Sequence, residues 1–75
     1  MKRIDYVIAE PEGLHALPAA ALVVKLQEYK SEITATCKGV TVDAKNPIGL
    51  LSLGARFGDL VVFEANGPDE NLVEL

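Results

Sequence analysis

The chain has 75 residues and a mass of 8.0 kDa, room for a single domain over residues 1–75. A domain of this size buries only about 60% of the surface its unfolded chain exposes. Seven basic against eleven acidic residues give a net charge of −4 and a pI near 4.8, which argues against generic nucleic-acid binding because phosphate contacts need a basic surface. With 49% hydrophobic and 24% charged residues the composition is that of a globular chain, not a disordered one.

Cys37 is the only cysteine, so no internal disulfide and no cysteine-type zinc site can form. A reducing compartment fits that usage. Met1-Lys2-Arg3 could open a signal peptide, but Asp5 and Glu10-Pro11-Glu12 interrupt what would be its apolar core. No apolar run approaches the ~18 residues of a membrane helix. The expectation is a soluble cytoplasmic protein.

Ile4, Tyr6 and Ile8 alternate with Arg3, Asp5 and Val7, the period of a half-buried strand, until Pro11-Glu12-Gly13 breaks it. From Ala16 to about Tyr29 the spacing turns helical, with Ala19, Leu22, Val23 and Leu26 as the core stripe and Pro18 harmless in the first turn. Ser31 opens a strand in which Ile33, Ala35 and Cys37 share a face, and Lys38-Gly39 turns it into Val40-Thr41-Val42. Asn46-Pro47 starts a short helix that Gly54 ends. Gly58-Asp59 leads into the strand Leu60–Ala65, Asn66-Gly67-Pro68 breaks again, and Asp69 and Glu70 suit the first turn of a last helix. The order strand, helix, strand, strand, helix, strand, helix predicts an α+β open-faced sandwich, a four-stranded antiparallel sheet with three helices on one face.

His15 is the only histidine and lies immediately before the first helix. Its ring is a nucleophile near neutral pH, and a helix start offers unpaired N–H groups and a positive dipole end to an anion. Gly13 permits tight backbone approach. His15 could therefore accept a phosphoryl group, with the N–H groups of Ala16 and Leu17 holding its oxygens. Position alone favours the plainer reading, a surface histidine at a helix end.

Gly13-Leu14-His15-Ala16-Leu17-Pro18-Ala19 resembles the active-site segment of the HPr family, the histidine phosphocarriers of the bacterial phosphotransferase system. Val42 to Gly54 is similar to that family's second-helix segment, and Gly67-Pro68-Asp69-Glu70-Asn71 to the start of its last helix. The resemblance covers essentially the whole chain and implies the same order of elements. It further implies that His15 takes phosphate from Enzyme I, charged by phosphoenolpyruvate, and passes it to a sugar-permease component of EIIA type. No metal or cofactor is implied on this protein, which is expected to be a monomer without membrane insertion. Ala16, Leu17, Ala20 and Val24 would dock partners together with Pro47, Ile48 and Leu51, an apolar patch suited to protein contact. Ala21 shares that stripe and fits the patch and the core equally.

Four departures from the family stand out. Arginine is usual where this chain has Leu17, so the charge that steadies the phosphoryl group is missing. Glu12 replaces a small polar residue, and a carboxylate beside a phosphorylated His15 repels it. Asn46 stands where many Gram-positive members carry a regulatory serine. The chain ends early, so the last helix is expected to lack two or more turns.

Lys45 reads as a solvated lysine more readily than an anion ligand, and Cys37 as a buried inert thiol. Gly49 and Gly54 have the spacing of P-loop glycines, but Ala55-Arg56 follows where lysine and a hydroxyl residue are required, so there is no P-loop. Two readings follow: a phosphocarrier in a sugar-uptake relay, favoured by His15 and Gly13, or a regulatory interaction module with weak or no transfer, favoured by Leu17 and Glu12. An autonomous enzyme fits poorly, because so small a domain leaves no substrate pocket.

Overall fold

The computed structural model describes residues 1–75. Strands β1 (Lys2–Val7), β2 (Glu32–Cys37), β3 (Val40–Asp43) and β4 (Leu60–Asn66) form one sheet in the order β1-β4-β2-β3, every pair antiparallel. Period-two alternation sends Ile33, Ala35 and Cys37 of β2 and Val61, Phe63 and Ala65 of β4 to the same face, where all are buried. Helices α1 (Ala16–Leu26) and α2 (Pro47–Ser52) cover that face and add Ala19, Leu26 and Leu50 to a core of 15 residues. The expected class and the antiparallel four-stranded sheet hold. Cys37 is a free, buried thiol, as its place in β2 predicts.

Local chemistry explains the connections. Lys38 (φ 52°) and Gly39 (φ 81°) both take positive φ between Cys37 and its partner Val40, as a two-residue I′ hairpin requires. Asn46 caps α2, its Oδ1 accepting from the N–H groups of Ile48 (3.0 Å) and Gly49 (3.4 Å), with Pro47 at the first helical position.

Two helix ends differ from expectation. α1 stops at Leu26, short of Tyr29, because the chain tightens there into i→i−3 bonds from Glu28 to Lys25 (3.3 Å) and Tyr29 to Leu26 (3.1 Å). Lys45, expected in solvent, turns its Nζ onto the Tyr29 carbonyl (2.6 Å), while Gln27 Nε2 donates to the Lys45 carbonyl (3.1 Å). These bonds tie the end of α1 to the start of α2. The third predicted helix is a single 3₁₀ turn, Glu70–Leu72. Val73 leaves it in an extended conformation with its side chain fully buried. One turn cannot offset the cost of helix nucleation, and the pull of the core on Val73 wins.

Asp69 fastens this last segment. Its carboxylate accepts from Ser31 Oγ (2.6 Å), Ser31 N–H (2.9 Å) and Lys30 N–H (2.8 Å). The Ser31 hydroxyl, then the backbone donors, hold the Asp69 carboxyl down at about 2.

Candidate functional site

The loop from β1 to α1 is pinned against the loop from α2 to β4. Ile8 N–H donates to the Asp59 carbonyl (2.9 Å), Gly58 N–H to the Ile8 carbonyl (2.8 Å) and Leu14 N–H to the Ala55 carbonyl (2.9 Å). Gly13, at φ +79°, makes this approach possible: a Cβ there would lie 2.6 Å from the Ala55 carbonyl oxygen and 3.1 Å from Arg56 Cα. Glycine at this position is a packing requirement as well as a conformational one.

His15 follows as the N-cap of α1, in extended conformation (φ −98°, ψ −171°), and its side chain makes no capping bond. Its carbonyl accepts from Ala19 N–H (3.0 Å). The Ala16 and Leu17 N–H groups find no acceptor in the chain, and Pro18 has none to offer. Two backbone donors beside a half-exposed imidazole are thus available to an anion.

Glu12 meets the other edge of the ring, its Oε2 3.7 Å from His15 Nε2. A carboxylate on that edge favours, by its charge, the tautomer with its proton on Nε2.

All seven residues assigned to the partner face, Ala16, Leu17, Ala20, Val24, Pro47, Ile48 and Leu51, are exposed. Leu17 and Ile48 are each 77% exposed and Val24 71%, values that no core role explains. Ala21 is exposed too, so it does not belong to the core. Sequence periodicity missed Phe57, 66% exposed in the loop that contacts Gly13.

The structure has two surface cavities, and His15 lines neither. The first, about 270 Å³, lies between α1 and the sheet and is lined by Leu14, Leu22, Phe63 and Leu75, among others. The second, about 470 Å³, is polar and runs from Lys30 to Lys45. No helix is long and apolar enough to cross a membrane.

Known proteins agree with this geometry. The PTS-HPr family, described as the PTS HPr component phosphorylation site, matches residues 2–74. The phosphocarrier protein HPr of Mycoplasma genitalium is 39% identical over 71 residues, 93% of this chain and 81% of that protein. Its counterpart in Mycoplasma pneumoniae is 37% identical with the same coverage. The crystal structure of HPr-C-His from Thermoanaerobacter tengcongensis superposes with a TM-score of 0.90 at 36% identity, covering 96% of this chain and 81% of that one. With its sheet order, a histidine at the start of its first helix and a match that spans nearly every residue, this chain belongs to the HPr family of the phosphotransferase system.

Proposed function

We propose that this protein carries phosphoryl groups through His15 in the phosphoenolpyruvate-dependent sugar phosphotransferase system, from Enzyme I to a sugar-permease component of EIIA type. The observation that carries the reading is the lone, half-exposed His15 at the start of α1 beside two unpaired backbone N–H groups. The lone pair of Nδ1 forms the N–P bond while the donor's bond to phosphorus breaks and its electron pair stays with the donor. The proton on Nε2 stays in place, facing Glu12, and the ring carries the positive charge. Delivery reverses the step, the electron pair returning to Nδ1 as the acceptor takes phosphorus. Ala16 and Leu17 N–H groups receive phosphoryl oxygens throughout.

Partners dock on Leu17, Ala20, Val24, Ile48 and Leu51, with the protein acting as a cytoplasmic monomer. Incubation with Enzyme I, magnesium and phosphoenolpyruvate, followed by intact mass measurement, tests the reading. One acid-labile phosphate is expected, absent from His15→Ala. A protein that stays unmodified, or an alanine variant that is still phosphorylated, would overturn it; the first result would leave a docking module without transfer.

A further inference from the structure

The HPr-like site lacks its usual arginine at position 17, yet a phosphoryl group brought to His15 adds negative charge that two neutral N–H groups meet only in part. The chain has seven cationic side chains, and most are committed elsewhere. Lys2 donates to the Val73 carbonyl (2.7 Å), Arg3 pairs with Asp5 (2.9 Å), Lys38 with Asp59 (2.9 Å), and Lys45 is held by the Tyr29 carbonyl (2.6 Å). Lys25 lies in the last turn of α1, and Lys30 follows beyond it with its N–H on Asp69, both at the end of the helix opposite His15. Arg56 remains. It is exposed, and no hydrogen bond or ion pair engages its guanidinium.

Its backbone also lies against the His15 segment, next to the Ala55 carbonyl that makes the closest approach. Arg56 Cα would stand 3.1 Å from a Cβ on Gly13, two residues before His15, and its neighbour Ala55 holds Leu14 N–H at 2.9 Å. Asp59 fixes the Arg56 backbone by accepting its N–H at 2.8 Å, and Lys38 already occupies that carboxylate. The Asp59 carboxyl is held below its usual range first by the Arg56 N–H and then by Lys38, with the Arg56 charge contributing least.

We propose that Arg56, pinned against Gly13 by the contact between the two loops, supplies the cation that binds the phosphoryl group on His15. This rests on His15 being the phosphoryl acceptor. The guanidinium is a free donor fork whose charge-assisted bonds suit phosphoryl oxygens. The role that a first-turn arginine would fill from α1 is thus filled from across the loop contact, and Leu17 is left free to act as an apolar docking residue.

The experiment is rapid-quench transfer from phosphorylated Enzyme I to the parent, Arg56→Ala, Arg56→Lys and the double variant Leu17→Arg/Arg56→Ala. Arg56→Ala is expected to slow transfer tenfold or more with an unchanged Tm, and Arg56→Lys to recover part of the loss. Leu17→Arg in the Arg56→Ala background is expected to restore the rate, since it returns a guanidinium to the same phosphoryl group. Arg56→Ala as fast as the parent, or a double variant as slow as Arg56→Ala, overturns the proposal. A parent that takes no phosphate sinks the carrier reading and this inference together, so the two failures are distinguishable.

Discussion

Glu12 Oε2 stands 3.7 Å from His15 Nε2, on the edge of the imidazole away from Nδ1. Glu12 is 80% exposed, so its effect is screened and graded. Its consequence is a bias in the tautomer of the neutral ring toward the form protonated on Nε2. Nitrogen chemical shifts of His15 should show a larger share of that tautomer in the parent than in Glu12→Gln. Equal shares in the two proteins would leave Glu12 without a part in orienting the ring.

Ile48 exposes an apolar side chain at the second position of α2 while Leu50, two residues on, is fully buried. Ile48→Glu should therefore spare the fold and weaken docking. Loss of a buried isoleucine contact costs about 1.5–3 kcal/mol, so KM for phosphorylated Enzyme I should rise tenfold or more with kcat and Tm little changed. An unaltered KM would place the docking surface elsewhere.

Asn46 satisfies two N–H groups at the start of α2, Ile48 at 3.0 Å and Gly49 at 3.4 Å. Asn46→Ala removes both bonds and should cost about 1 kcal/mol, a fall in Tm of roughly 4–8 °C for a domain of this size. Thermal melts followed by circular dichroism measure it directly. An unchanged melt would mean that α2 is held by packing of Leu50 and Leu53 without help from the cap.

Asp69 links stability to acid pH. Its carboxyl titrates at about 2 in the fold against an ordinary 3.8, held down first by the Ser31 hydroxyl. A depressed folded value stabilises the protein fully above the unfolded value, and that stabilisation is lost as pH falls from about 3.8 toward 2. Asp69→Asn should lower stability at neutral pH and flatten the decline in this acid window. Denaturant melts between pH 2 and pH 6 give the comparison, and parallel curves for the two proteins would contradict it. Some slope persists in the variant, because Asp59 and Glu70 are also held below their usual values.

The local signals in the sequence were sufficient for the strands, the hairpin, the cap of α2 and the position of His15 at a helix start. Alternation along Ile33, Ala35 and Cys37, and Asn46-Pro47 before an apolar turn, are read within a few residues of each other, because backbone geometry and capping act over that range. Four features needed the tertiary structure. The last helix shrinks to one turn because Val73 is drawn into the core. Lys45 leaves solvent because Tyr29 has an unsatisfied carbonyl nearby. Asp69 clamps Ser31 across 38 residues. Arg56 stands against Gly13 because Leu14 meets Ala55 and Gly13 has no side chain to prevent it. Each of these depends on contacts between segments far apart in the chain. Such contacts are set by how the whole core closes, and no periodicity within one segment encodes them.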